Sequence, residues 1–108
     1  MTGITTHVLD AALGRPATGV QVRLEGPGAV VLGEARTDGE GRVRDFGQGA
    51  LHTGVHRLVF ATGEYFAAQD RPSFYPEIVI AFAVTAVDEH HHVPLLLSPF
   101  AYSTYRGS

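Results

Sequence analysis

Apolar side chains recur at every second residue in run after run of this chain, and that period restricts it to folds built from extended segments. Val20, Val22 and Leu24 alternate with Gln21, Arg23 and Glu25, which describes a half-buried strand. Residues 4–10 are rich in β-branched side chains and put Ile4, Thr6 and Val8 on one face, with Thr5, His7 and Leu9 on the other. Shorter runs at 30–37, 42–46 and 56–60 read as further strands, the second of them edge-like. Residues 76–87 make the longest expected strand, with Ile78, Ile80, Phe82 and Val84 on one face and Val79, Ala81, Ala83 and Thr85 on the other. Both of its faces are apolar, so one should pack in the core and the other against a partner chain or a covered surface. A final pair spans 90–97 and 101–106, separated by Ser98-Pro99, where the proline prevents a continuous ladder.

Turn-forming residues separate these runs: loops at 10–18 and 47–54, the triplet Gly26-Pro27-Gly28, and Asp38-Gly39-Glu40-Gly41, whose two glycines are free to take positive φ. Only residues 62–69 look helical. Thr62 could cap them, Glu64 suits the first turn, and the Tyr65-Phe66 pair should pack the helix on a sheet before Asp70-Arg71-Pro72-Ser73 closes it. About eight short strands with one short helix describe an all-β chain, an antiparallel β-sandwich and not an α/β fold. Its 108 residues suit a single domain, 1–108.

Charge and composition remove several function classes. Lys and Arg number 8 against 11 Asp and Glu, and the formal net charge of −3 gives no electrostatic reason to expect a nucleic-acid partner. With no cysteine, neither disulfide nor thiolate chemistry enters. No apolar run approaches the length of a membrane span, and Met1-Thr2-Gly3-Ile4 has neither a basic n-region nor an apolar h-region. A soluble, cytoplasmic protein with no membrane partner is the expectation.

The candidate chemistry concentrates in residues 90–108, which hold half of the histidines and end on Tyr105-Arg106-Gly107-Ser108, unlike a frayed polar tail. On a strand beginning at His90, His90 and His92 point with Leu96, while His91 points with Val93 and Leu95. Two imidazoles on one face make a possible site. Three adjacent histidines also suit a solvated strand end after Asp88-Glu89, and a further reading joins His90 and His92 to His7 as three nitrogen ligands of a metal with an open position for water. Arg42 and Arg106 are by default exposed charges. Each could instead offer fixed positive charge and forked donors to a planar anion or a developing oxyanion. Histidine for proton transfer and arginine for charge are a sufficient set for hydrolysis. His52 and His56, flanking Thr53-Gly54, are expected at the surface.

Four segments carry a resemblance: Thr5-Thr6-His7-Val8-Leu9-Asp10 with Gly14-Arg15-Pro16-Ala17, then Thr37-Asp38-Gly39-Glu40-Gly41-Arg42, Thr62-Gly63-Glu64-Tyr65-Phe66-Ala67, and the whole ending from His90 to Ser108. Together they resemble the transthyretin-related 5-hydroxyisourate hydrolases over essentially the full chain. Transthyretin proper, a hormone carrier on the same fold, lacks the terminal Tyr-Arg-Gly-Ser, so the resemblance favours the enzyme branch. It implies catalytic roles for His7, Arg42 and His92, with His90, Tyr105, Arg106, Gly107 and Ser108 at the substrate. It implies a homotetramer, a dimer of dimers with sites in a channel where the dimers meet, and no cofactor or metal. The implied reaction opens the ring of 5-hydroxyisourate, giving 2-oxo-4-hydroxy-4-carboxy-5-ureidoimidazoline in urate (purine) catabolism. Water activated by His92 or His7 would attack a ring carbonyl, Arg42 would stabilise the oxyanion, and Arg106 and Ser108 would orient the polar edge. The family usually has tyrosine where this chain has His91. Because that side chain points away from His92, a packing or interface change is expected there, with little effect on chemistry.

Overall fold

The computed structural model describes residues 3–108; Met1 and Thr2, part of the start at which no leader is expected, lie outside the described residues. Nine strands and one α-helix follow in the order β1 (Gly3–Asp10), β2 (Arg15–Pro16), β3 (Gln21–Glu25), β4 (Val31–Arg36), β5 (Arg42–Val43), β6 (Gly54–Phe60), α1 (Thr62–Ala67), β7 (Ile78–Val84), β8 (His90–Leu97) and β9 (Tyr102–Thr104). One sheet runs β2-β1-β8-β9, with β5 also on β1, and the other runs β4-β3-β6-β7. The all-β sandwich with one short helix is therefore the fold observed.

One pairing departs from the antiparallel expectation and decides where the site lies. β1 and β8 are parallel along their whole length, from Gly3 opposite His90 to Asp10 opposite Leu97. The two-residue period is blind to strand direction, since reversing a strand leaves its faces unchanged. Direction nonetheless sets neighbours. Run antiparallel, the histidines would lie beside the far end of β1, whereas the parallel register puts His92 beside Thr5. β2 and β5 share the opposite edge of β1, with Arg42 opposite His7.

Other boundaries moved in ways that local chemistry explains. β7 keeps only Ile78–Val84, so the longest strands are β1 and β8. The expected strand at 42–46 pairs only through Arg42–Val43, and the loop at 10–18 contains the short β2. Thr62 does not cap α1. The N-cap is Ala61, and the Thr62 hydroxyl instead donates to the Tyr75 carbonyl. The helix stops at Ala67, and Asp70 turns the chain with φ of 54°.

The inward positions of both sheets meet in one core, including Ile4, Val8, Val22, Leu24, Leu58, Phe60, Ile78, Val93, Leu95 and Leu97, with Phe66 of α1 packed on it. The opposite face of β7 is exposed at Val79, Ala81 and Ala83, which realises the two apolar faces anticipated for that run.

A buried ion pair ties α1 and the segment after it to β1. Asp10 has no exposed side-chain surface. Arg71 donates to it from Nη1 at 2.7 Å and Nη2 at 3.3 Å, the Tyr65 hydroxyl donates at 2.8 Å, and the Leu13 N–H at 3.0 Å. Burial alone would push the carboxyl up, but these donors outweigh it and hold Asp10 below its ordinary 3.8. Arg71→Ala leaves the carboxylate buried without its counter-charge and is expected to cost on the order of 3 kcal/mol, read as a lower urea midpoint. The depressed pKa makes this contribution present above the unfolded-state value and lost as pH falls through the lower folded one, so the variant and parent should converge below about pH 4. Equal midpoints at neutral pH would remove the pair from the stability of the fold.

Candidate active site

The outward face of β1 and β8 carries Thr5, His7, His90 and His92, as alternation requires once the two strands run side by side. One hydroxyl holds two of these rings. The Thr5 Oγ1 lies 2.7 Å from the Nδ1 of His92 and 2.8 Å from the Nε2 of His90, and the two imidazole centroids are 6.1 Å apart. Nε2 of His92 makes no hydrogen bond among the described residues and is left for a ligand. Burial, then the positive charge of Arg42 and the neighbouring His90 and His7, hold His92 below the ordinary imidazole value of 6.5. At neutral pH it is a neutral, proton-accepting ring.

Arg42 reaches this face because the turn before it is fixed. Asp38 accepts from the N–H groups of Glu40 and Arg42 through Oδ1, at 2.9 and 3.0 Å, and those bonds hold its carboxyl below the usual range. Of the two glycines free to do so, only Gly41 takes a positive φ, 79°, and it needs to be glycine, since a Cβ would meet the Val8 carbonyl oxygen. The Gly41 carbonyl accepts from the Val8 N–H at 2.7 Å, so the turn is pinned to β1. The half-buried Arg42 side chain has no carboxylate partner among the described residues, whereas Arg44 pairs with Glu40. His7 donates from Nε2 to the Glu40 carbonyl at 2.8 Å, leaving Nδ1 open.

The chain end folds back over His92. β9 pairs with Leu95–Leu97, the ladder then lapses opposite Pro94, which has no N–H to offer, and the Gly107 N–H returns to the His92 carbonyl at 2.9 Å. A cavity of about 150 Å³ on one side of His92 is lined by Thr5, Arg42, Arg44, His90, His92 and Ser108. On its other side a second cavity, about 320 Å³, holds Tyr105 and Arg106 against His91, His92 and β7. The expected residues are thus divided: Arg42, His90, His92 and Ser108 share one cleft, His7 stands beside it, and Tyr105 and Arg106 face the adjoining one. Arg106 pairs there with Glu89 at 3.2 Å, an exposed contact of small energetic weight.

Gly107 is sterically committed. A Cβ on it would stand 2.4 Å from Cδ2 of His92. Gly107→Ala must therefore rotate the ring or lift the tail, and a displacement of that size is expected to lower kcat by about ten- to a hundredfold. The unfolding midpoint should hardly change, because the end of the chain carries no core residue; unchanged kcat would show that His92 tolerates the movement.

Among the described residues no group of three His, Asp or Glu side chains is disposed to hold a metal ion. The facing nitrogens of His90 and His92 converge on the Thr5 hydroxyl. Thr5 is the residue the sequence reading passed over, although alternation already put it on the face of His7. His56, expected at the surface, is completely buried, because β6 turns it inward with Leu58 and Phe60. Its Nδ1 donates to the Gly54 carbonyl at 3.1 Å, and its ring lies 6.0 Å from that of Phe82. His52 is exposed as expected, and His91 is buried on the face opposite His92.

Comparison with known proteins gives a consistent picture. Residues 4–107 match the HIUase/Transthyretin family. The chain is 49% identical to a 5-hydroxyisourate hydrolase of Caulobacter vibrioides, covering 100% of both chains. The structure of Klebsiella pneumoniae 5-hydroxyisourate hydrolase is similar with a TM-score of 0.89 at 37% identity, covering 100% of this chain and 94% of that one. Transthyretin from Sparus aurata is similar with a TM-score of 0.90 at 26% identity, covering 99% and 97%.

Proposed function

This chain belongs to the HIUase/Transthyretin family, and from that premise we propose that it hydrolyses 5-hydroxyisourate to 2-oxo-4-hydroxy-4-carboxy-5-ureidoimidazoline, a step in urate breakdown. The observation that carries this reading is one cleft in which a histidine held neutral lies close to an arginine that has no carboxylate partner among the described residues. Hydrolysis of a cyclic amide needs both: a base for the water and positive charge for the oxyanion. His92 takes the proton of a water at Nε2 as the water oxygen attacks the ring carbonyl carbon. The Arg42 guanidinium receives the charge on the carbonyl oxygen. The carbon–nitrogen bond then breaks, the nitrogen takes a proton back, and a carboxylate and a ureido group remain. His7 supplies a second imidazole on the same face, with His90 and Gly107 at the wall. Ser108 orients the polar edge of the ring from the same cleft; Tyr105 and Arg106 join it only by turning from the adjoining cleft, for which Arg106 gives up no more than an exposed pair with Glu89.

The site is completed by further copies of the chain. β7 and β9 are edge strands, each paired on one side only, and β7 exposes an apolar face. Bare edges of that kind are normally paired or covered. A homotetramer, as a dimer of dimers with the clefts along a shared channel, satisfies both edges. Light scattering after gel filtration tests it, and a monomer at working concentration would overturn it.

The likeness to transthyretin supports a second reading, a non-catalytic module that holds a small aromatic ligand in the same channel. One assay separates the two. Freshly generated 5-hydroxyisourate is followed by absorbance with and without the protein, before and after exhaustive chelation. Acceleration over the spontaneous rate that survives chelation is expected, and no acceleration would sink the hydrolase reading.

A further inference from the structure

The Thr5 hydroxyl is placed between two imidazoles, and a hydroxyl has only one proton. Thr5 is buried, 8% exposed, and Oγ1 is within hydrogen-bond distance of both His90 Nε2 and His92 Nδ1. Its two lone pairs could accept from both rings, but its own proton would then have no acceptor among the described residues, so it donates to one ring and accepts from the other. The tautomers of the two histidines are therefore coupled. Either His92 carries its proton on Nδ1 and Thr5 donates to His90, or His90 carries its proton on Nε2 and Thr5 donates to His92.

We propose that Thr5 is a positioning residue that holds His92 in the Nδ1–H form, with His90 as the acceptor that fixes the direction of the Thr5 hydroxyl. This rests on the hydrolase reading above. The choice between the two arrangements follows from proton uptake. In the first, Nε2 of His92 is an open lone pair facing the cleft; it can accept a proton from water while Nδ1–H continues to donate to Thr5. Every hydrogen bond of the trio survives the change, and the bond to Thr5 strengthens as the ring becomes charged. In the second, Nε2 already holds a proton, and His92 could act as a base only after all three groups had exchanged hydrogens. His90 thus acts on the reaction without accepting the proton of the water.

The test separates the hydroxyl from the space it fills. Thr5→Val preserves the shape and the strand preference of the side chain but removes the proton and the lone pairs, whereas Thr5→Ser keeps them. In Thr5→Val, kcat is expected to fall by about ten- to a hundredfold with KM little changed, the size of a charge-assisted hydrogen bond lost from the protonated ring. Thr5→Ser should stay within about threefold of the parent, and circular dichroism should show both folded. Nitrogen-15 spectra of the labelled imidazoles read the tautomer directly and need no turnover: His92 should be protonated at Nδ1 at neutral pH in the parent, and revert toward Nε2–H in Thr5→Val. His90→Phe, which removes the acceptor, should shift the His92 tautomer in the same direction. A parent spectrum showing Nε2–H on His92 would overturn the proposal even if the protein hydrolyses 5-hydroxyisourate. The same spectrum showing Nδ1–H in a protein without turnover would leave the hydrogen-bond assignment standing and remove only the hydrolase reading.

Discussion

Replacing His92 with alanine is expected to lower kcat/KM for 5-hydroxyisourate by at least about a hundredfold, the usual contribution of a positioned base. The fold should not suffer. His92 is half-buried on the outer face of β8, outside the core; its loss opens the Thr5 hydroxyl to a cleft and not to an apolar void, while the Gly107 N–H keeps the backbone carbonyl of residue 92. The pH dependence adds a second signature. Because burial, Arg42 and the neighbouring imidazoles lower the His92 pKa, its reactive form is lost only as pH falls through a folded value below the ordinary 6.5. The midpoint of the parent's acid limb should therefore lie below the ordinary imidazole value of 6.5, and His92→Ala should lack that limb. Turnover within about tenfold of the parent, with the limb intact, would transfer the role of base to His7.

The sequence carried the elements more fully than their relations. Alternation placed Thr5 with His7 and His90 with His92 on their faces, and these parities hold in β1 and β8. His56 is expected at the surface as the start of a strand at 56–60, but β6 begins two residues earlier, at Gly54, and its period turns His56 inward with Leu58 and Phe60. Periodicity reports which side chains share a face and says nothing of which strand lies alongside or in which direction it runs. The parallel pairing of β1 with β8 joins segments from opposite ends of the chain, and it alone brings Thr5 within 2.8 Å of two histidines.

The chain end shows the same division. Its composition marked it as a placed segment, and the His92–Gly107 bridge shows what places it. That Tyr105 and Arg106 would fall on one side of His92 and Ser108 on the other depends on the lapse of the ladder at Pro94, a consequence of strand pairing that no local pattern encodes. The helix was legible in kind and position. Its cap was not, because the Thr62 hydroxyl is drawn to the Tyr75 carbonyl, a tertiary partner.

Arg42→Ala should be about as damaging as the loss of His92, for a different reason and with the opposite effect on the pH profile. The guanidinium is the cation nearest to being free in the cleft: Arg44 is engaged by Glu40 and Arg106 by Glu89. Removing a donor aimed at an oxyanion costs roughly a hundred- to a thousandfold in kcat. The turn would persist, because Asp38 grips the backbone N–H of residue 42 and not its side chain. Arg42 also disfavours the protonated form of His92, so its loss should raise the His92 pKa toward the ordinary value. The sign is therefore fixed: as pH falls, Arg42→Ala should lose its remaining activity at a higher pH than the parent. Arg42→Lys separates the two contributions. It keeps the charge, and so should keep the parent's acid limb, but it lacks the planar fork and should recover only part of kcat. Steady-state rates of the three proteins between about pH 5 and 8 measure both effects. An acid limb that stays in place or moves down in Arg42→Ala would separate the arginine from His92, and a near-normal kcat would remove it from the oxyanion.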